Sequence, residues 1–309
     1  MIVTVTPNPS IDRTLYIDRL DRGRFIRAAR SSSEAGGKGI NVGRALTTHG
    51  VPAIAVVPAS AASGAVLRRL LGDTATLDTV AVRGEMRTNV SIVEPDGTTT
   101  KINETGPTLD PADETALADA VLRQAASSTW IAGCGSIPPG MSSDFYARLA
   151  ADAPSGVRLA IDTDGEPLRA SVGARVALLK PNREELERLV GRSLPTLGEV
   201  VDAAAEIVAD GTTQILVSLG ADGAVVVTAR SAVHGEAPGA PVVNTVGAGD
   251  ALLAGFLACG ADTAALPEAI AWSVAACASA GTEMRQATAA DRALVVVHPT
   301  IDRSRRLVS

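Results

Sequence analysis

Hydrophobic and polar positions along the chain alternate between two rhythms. Short β-branched runs occupy Ile2–Thr6, Ala53–Val57, Thr129–Ala132, Arg158–Asp162, Val176–Leu179 and Gln214–Ser218. Each reads as a strand. Between them, helical patterns cover Gly39–Thr48, Pro111–Ala125, Ser142–Ala151, Arg183–Val190 and Leu197–Ala209. Strand–helix alternation of this kind predicts an α/β fold with a mostly parallel sheet and helices on both faces. Ligands of such sheets bind beyond the carboxyl ends of the strands.

Residues 12–33 and 86–104 break the rhythm. They hold half-polar strands, Thr14–Asp18, Arg27–Ser33, Thr88–Glu94 and Thr98–Asn103, and Pro95-Asp96-Gly97 marks a hairpin tip between the last two. Strands with one polar face predict a small sheet outside the main core. It can serve as a lid over a site or pair with a second copy, which would also protect its edge. With no internal repeat or long linker, residues 1–309 are expected to form one domain with this lid inserted.

Composition narrows the classes. The 309 residues are 46% hydrophobic and 20% charged, which fits a compact chain rather than a disordered one. A net charge of −6 and only 2% aromatic residues argue against a nucleic-acid or anionic-membrane partner. Cys134, Cys259 and Cys277 are far apart and odd in number, so buried thiols in a reducing compartment are expected. His49, His234 and His298 lack metal-ligand spacing. The opening Met1–Thr6 has a strand pattern without a signal-peptide layout, and no apolar run reaches membrane-spanning length. A cytoplasmic protein is the expectation.

Several segments could carry chemistry. Asn244-Thr245-Val246-Gly247-Ala248-Gly249-Asp250 precedes the helical run Ala251–Cys259. Two glycines at a helix start form an anion site. Asp250 can be a simple helix cap or a general base beside that site. Gly36-Gly37-Lys38-Gly39 leads into a helix with Asn41 in its first turn. It can bind a hydroxyl or phosphate, or merely turn the chain; no Walker A spacing occurs anywhere. Asn182 and Glu185 have capping-box spacing, and they also suit the waters of a magnesium ion near nucleotide phosphates. Ser218-Leu219-Gly220-Ala221-Asp222-Gly223 reads as a hairpin turn or as backbone on which a nucleotide can lie. Asp12 can close an Asx turn or grip sugar hydroxyls, and Arg27, Arg87 and Lys101 on the small sheet can be surface charges or a phosphate clamp.

Taken together, GGKGINV (Gly36–Val42), LKPNREE (Leu179–Glu185), SLGADG (Ser218–Gly223) and NTVGAGD (Asn244–Asp250) have the order and spacing of the ribokinase-like (pfkB) kinases, which this chain resembles over almost its whole length. TPNPSID (Thr6–Asp12), Met86–Asn89, Lys101–Asn103, Gly135–Gly140 and Asp162–Gly165 are similar to the subgroup of 1-phosphofructokinases and tagatose-6-phosphate kinases. The resemblance implies a ribokinase-like three-layer α/β/α sandwich with a small β-sheet lid. It implies ATP-dependent phosphorylation of fructose 1-phosphate at its 6-hydroxyl, with tagatose 6-phosphate or fructose 6-phosphate as alternative acceptors.

It also implies roles. Asp250 would be the base, and the backbone of Gly247, Ala248 and Gly249 the anion hole. Asp12, Gly37 and Asn41 would hold sugar hydroxyls. Arg87, Lys101 and Ser136 would grip the sugar's phosphate, joined by Arg27 from the lid of a homodimeric partner. Lys38 would lie between the two substrates' phosphates. Lys180, Asn182, Ser218, Gly220 and Gly223 would line the ATP side, with Glu185 on Mg²⁺ through water. Residues around Trp272–Ala280 would wall the adenine pocket. Phe25-Ile26-Arg27 departs from the family's usual Asn-Arg pair, so no contact is carried over to position 26. A non-catalytic sugar-phosphate sensor on the same fold would have a damaged base or anion hole, whereas Asp250 and both glycines are present. A dinucleotide-dependent dehydrogenase lacks support, because no GxGxxG follows the first strand.

Overall fold

The computed structural model describes residues 1–279, 284–298 and 300–308. The chain opens with β1 (Ile2–Val5), then β2 (Ser10–Tyr16) and β3 (Arg30–Gly36), followed by α1 (Lys38–Thr48), β4 (Ala53–Ala59), α2 (Ala61–Leu71) and β5 (Thr76–Ala81). Next come β6 (Arg87–Val93), β7 (Thr99–Asn103), α3 (Pro111–Ala125), β8 (Trp130–Cys134), α4 (Phe145–Asp152), β9 (Arg158–Asp162) and α5 (Gly165–Ser171). The remainder holds β10 (Leu178–Leu179), α6 (Arg183–Val190), α7 (Leu197–Ala209), β11 (Gln214–Ser218), β12 (Ala224–Thr228) and β13 (Ala232–Glu236). It ends with α8 (Ala248–Ala258), α9 (Leu266–Cys277), α10 (Ala289–Ala293) and β14 (Val296–His298).

Ten strands make one sheet in the order β14-β13-β12-β11-β10-β9-β8-β1-β4-β5. From β5 to β11 every neighbouring pair is parallel, and the last three strands are antiparallel. Successive side chains of a strand point to opposite faces, so Val3 and Val5 enter one apolar layer with α3–α7 while Ile2 enters another with α1, α8 and α9. This is the expected three-layer α/β/α arrangement. Caps fix where several helices start. Asp110 with Asp113 and Asn182 with Glu185 form capping boxes, and Pro111 occupies the first turn of α3, where its missing N–H costs nothing.

The second sheet has the order β3-β2-β6-β7, with β2 and β6 parallel and both outer pairs antiparallel. Its strands start and end a few residues away from the expected ones. Ser10 and Ile11 belong to β2, because they pair with Gly36 and Ala35 on one side and with Arg87 and Thr88 on the other. The sequence pattern also runs ahead of the structure at Val176, where a tight turn to the Ala174 carbonyl leaves only Leu178 and Leu179 in the sheet. The helix expected from Ser142 begins at Phe145, because Ser142 and Asp144 close a turn on themselves. Cys259 corrects the expectation of buried thiols: it ends α8 and is exposed, while Cys134 is buried. No helix among the described residues is long and apolar enough to cross a membrane.

Candidate active site

Parallel register puts the carboxyl ends of β1, β8, β9, β10 and β11 along one edge of the large sheet. There the chain leaves each strand at Thr6, Cys134, Asp162, Lys180 and Ser218. The N-termini of α1 and α8 face the same edge, and their first turns meet: Asn41 Nδ2 donates to Asp250 Oδ2 at 2.8 Å. Asp250 caps nothing. Gly247 is the residue before α8, in left-handed conformation with φ 78°, and no side chain caps the helix. In the first turn, Gly249 and Asp250 have backbone N–H groups without intrahelical acceptors. The Ala248 N–H turns back to Thr245 O at 3.3 Å.

The charges beneath this helix are strongly unequal. Asp162 is fully buried, with Lys38 Nζ 2.6 Å from Oδ1 and Lys180 Nζ 3.0 Å from Oδ2. Burial alone would raise its pKa, but the two ammonium groups hold it below the usual carboxylate range. Lys38 also lies 3.7 Å from Glu185 Oε1. Burial works against its charge, yet Asp162, Glu185 and Asp250 together keep it above the ordinary lysine value. Asp250 has no such ion pair. Burial first, and the negative charge of Asp162 second, push its pKa up to about 6, against the pull of Lys38, the Asn41 bond and Lys180. The two carboxylates of one pocket thus have their pKa values driven apart, an arrangement that can set a structural anion beside a proton acceptor.

A cavity of about 700 Å³ opens over these groups. Lys38, Asp162, Lys180, Asn182, Ser218, Gly220, Gly223, Gly247, Ala248, Gly249 and Asp250 all line it. The expected nucleotide-side residues and the expected base are therefore brought together. Glu185 stands just behind, its Oε2 accepting from the Asn182 N–H at 2.8 Å. The glycines are needed for close approach: a Cβ on Gly223 would fall 2.0 Å from Gly235 O, and Gly249 passes over Lys180 Nζ. The Ser218–Gly223 segment is both things its sequence allowed, a hairpin turn joining β11 to β12 and a wall of the cavity. Ser273, Val274 and Cys277 of α9 line the far end, but Trp272 faces away, stacked on His49 and bonded to Glu268. Ala280 lies outside the described residues. The Ala237–Ala240 loop completes that end; nothing in its sequence had singled it out.

The small sheet supplies the other groups. Gly37, with φ 130°, starts α1 against Thr6, and the preceding Gly36 leaves room for Asp12. Asp12 Oδ1 accepts from Ser10 Oγ at 2.7 Å and from Asn89 Nδ2 at 2.9 Å. It is a strand residue held across β2 and β6, not an Asx-turn residue. Arg87 and Ser136 share a cavity of about 490 Å³ with Asn8, whose Nδ2 donates to Ser136 Oγ at 3.2 Å. Asn8, Asn89 and Asp162 escaped the sequence reading as single residues, although all three lie inside motifs it quoted. Asn8 Oδ1, Asn41 Oδ1, Asn89 Oδ1 and Arg87 Nε are buried without a hydrogen-bond partner among the described residues. Such atoms suit the hydroxyls and phosphate of a bound sugar. Lys101 shares the Arg87 face of the sheet, but its register partner is Ser91, four residues or about 13 Å along β6. Arg27 is exposed, its guanidinium 5.0 Å over the Phe25 ring. Neither Lys101 nor Arg27 lines the two cavities.

Comparison with known proteins gives the same picture. The model of the pfkB family carbohydrate kinases matches residues 6–292. The 1-phosphofructokinase of Rhodobacter capsulatus is 38% identical over 262 residues, covering 83% of this chain and 82% of that one. That of Haloferax volcanii is 38% identical over 260 residues, covering 84% and 83%. Among solved structures, phosphofructokinase-2 from Escherichia coli in complex with potassium superposes with a TM-score of 0.86 at 30% identity, covering 94% of this chain and 96% of that one. A tetrameric inhibited form of the same enzyme gives 0.84 at 32%, covering 94% and 96%. The chain belongs to the pfkB family of carbohydrate kinases.

Proposed function

We propose that this kinase transfers the γ-phosphoryl group of ATP to the 6-hydroxyl of fructose 1-phosphate, giving fructose 1,6-bisphosphate and ADP. The observation that carries the reading is Asp250: a buried carboxylate at the start of α8, aligned by Asn41, with its pKa raised to about 6 and an anion-binding helix start beside it. Phosphoryl transfer needs positioning and charge stabilisation more than covalent help. Asp250 takes the proton of the attacking hydroxyl as its oxygen bonds to the γ-phosphorus and the bond to the ADP oxygen breaks. The amides of Gly247, Ala248 and Gly249 receive the charge that develops on the transferred group. The Ala248 N–H, bonded to Thr245 O at 3.3 Å, would have to turn from it to take part. Lys38 and Lys180 face the phosphates from below, still tethered to Asp162.

Asn182, Ser218, Gly220 and Gly223 hold the nucleotide. No cluster of three His, Cys, Asp or Glu side chains among the described residues could hold a metal by itself. Magnesium would arrive on the nucleotide, with Glu185 placed to reach its waters, and would supply charge neutralisation on the phosphates. On the sugar side Asp12, Gly37 and Asn41 meet hydroxyls, while Arg87 and Ser136 take the phosphate. Dependence on ATP and three unpaired, widely spaced cysteines fit a cytoplasmic protein.

The small sheet acts as the lid. Its outer face carries Ile11, Leu15, Val90, Ile92 and the exposed Ile102. A second copy would cover this face and bring its Arg27 to the neighbouring site. Light scattering is expected to report a dimer, and a monomer across the working concentrations would refute it.

A coupled ADP-release assay with Mg-ATP against fructose 1-phosphate, fructose 6-phosphate, tagatose 6-phosphate and fructose tests the activity. Fructose 1-phosphate is expected to be strongly preferred. Preference for a 6-phosphate would give the acceptor role to the sugar's 1-hydroxyl, as the likeness to phosphofructokinase-2 allows. Turnover of none of them would overturn the reading.

A further inference from the structure

The segment 302–308 lies far from the chemistry in sequence and outside the cavity, yet it binds the cavity's walls from behind. Leu197 N–H donates to Arg305 O and Leu307 N–H to Pro195 O, both at 2.9 Å, which fixes this tail against the start of α7. From that anchor Arg305 makes a two-pronged contact with Glu236, Nη1 to Oε1 at 2.8 Å and Nη2 to Oε2 at 2.7 Å. The same Nη2 donates to Asp222 Oδ1 at 3.0 Å. The other oxygen of Asp222 accepts from the Val308 N–H at 2.7 Å. Asp222 is buried, and both its oxygens are taken by the tail.

The two carboxylates stand behind adjoining walls, since Gly223 packs against Gly235 and Glu236. Asp222 lies in the Leu219–Gly223 turn, where Gly220, Ala221 and Gly223 line the cavity. Glu236 ends β13, and the chain runs directly from it into Ala237–Ala240 at the far end of the same cavity. The backbone of the turn is held by the β12–β13 ladder and by His234 Nε2, 2.7 Å from Asp222 O; Arg305 adds the link between its carboxylate and that of Glu236. A guanidinium fork on two carboxylates is a rigid tie, whereas an ammonium is not.

We propose that Arg305 is a positioning residue for the phosphoryl donor: it clamps the Asp222 side of the Leu219–Gly223 turn onto the end of β13 and so fixes how these two adjoining walls of the nucleotide cavity meet. The proposal rests on the reading of that cavity as the ATP site. Arg305 lines neither of the two cavities, and its side-chain bonds go to Glu236 and Asp222, not to Asp12 or Arg87. Its loss should therefore weaken nucleotide binding without altering the sugar side.

The test is steady-state kinetics with ATP and fructose 1-phosphate varied in turn, for the full chain and for Arg305→Ala and Arg305→Lys. Arg305→Ala is expected to raise the KM for ATP roughly tenfold, the scale of one lost charge-assisted contact, with kcat and the KM for the sugar within about twofold. Arg305→Lys should fall between, since it keeps the charge and loses the fork. A general loosening would instead raise both KM values and lower kcat together, and that result overturns the proposal. So does an unchanged KM for ATP. If Arg305→Ala does not fold, Asp222→Asn removes one charge from the tie, and calorimetric titration with Mg-ATP alone should show weakened binding; unchanged binding there overturns the proposal too. Failure of the unaltered protein to bind Mg-ATP would instead remove the ATP-site reading beneath it.

Discussion

In β1, β8 and the last four residues of β9 every side chain is buried, whereas β3 exposes its first four residues and β7 all but one of its five. The functional side chains divide along the same line. On the large sheet's edge, Asp162, Lys180, Asn41 and Asp250 are buried and already bonded to one another. On the small sheet, Arg87 is half-buried with an unpaired Nε and Lys101 stands in water, as does Arg27 in the loop before β3. Surface charges held by long side chains have little fixed geometry. The large-sheet groups, the floor of the site, are thus preorganised by packing, while the cations on and beside the small sheet have no such fixed arrangement.

The sharpest break in that comparison is Asp250→Asn. The amide can still accept from Asn41, so the floor keeps its shape and loses only its base. Turnover should fall by roughly 10²–10⁴, the range for losing a general base, with both KM values close to those of the unaltered protein. Near-full activity would mean that the proton leaves by another route and that Asp250 is only a packed helix residue.

Arg87→Ala addresses the lid with a smaller effect. One charged contact to the sugar's phosphate would be lost, and the KM for the phosphosugar should rise roughly tenfold to a hundredfold. The KM for ATP should hardly move. A shift in the ATP value instead would place the first phosphate contact on the floor and leave the lid merely a cover.

The same contrast explains what the sequence made legible. Floor motifs are contiguous: glycines, a helix start and a strand end lie within a few residues, and local chemistry is enough to mark Gly247–Asp250 or Lys180–Glu185. Asp162 is different. It closes a strand with no glycine or helix-cap signal of its own, and its importance comes from Lys38 and Lys180, 124 and 18 residues away in the chain. Asn8 and Asn89 are quiet for the same reason, since their partners are Ser136 and Asp12. In the small sheet the hairpin was readable from Pro95-Asp96-Gly97, but no local pattern could say whether Lys101 and Arg27 gather with Arg87, and neither lines the Arg87 cavity. The strands β12 and β13 passed unnoticed because no α-helix separates them from β11 or from each other, and the parallel rhythm ends at β11.

The smallest expected effect is the one that tests preorganisation of the floor by itself, without substrate. Asp250 has a native pKa of about 6 against an ordinary value of 3.8. Its native state therefore holds the proton more tightly than the unfolded chain does. The stability this confers is complete below about pH 4 and is lost as pH rises through 6. Above that the ionised carboxylate is a burden of order 1–3 kcal/mol. Asp250→Asn cannot ionise, so thermal melts should show it more stable than the unaltered protein at pH 8, by a few degrees, and equal to it near pH 4. Asp162 has the opposite sign. Its pKa is held down because Lys180 and Lys38 outweigh burial, so its contribution is present above the unfolded carboxyl pKa and is lost as pH falls toward the native one. Asp162→Asn should destabilise at pH 8, leaving two lysines without their anion. Opposite shifts from two carboxylates in one cavity would show that the protein spends stability on the base alone. Shifts of the same sign would mean that the pocket is a single balanced ion cluster and that Asp250 is not held in reserve for a proton.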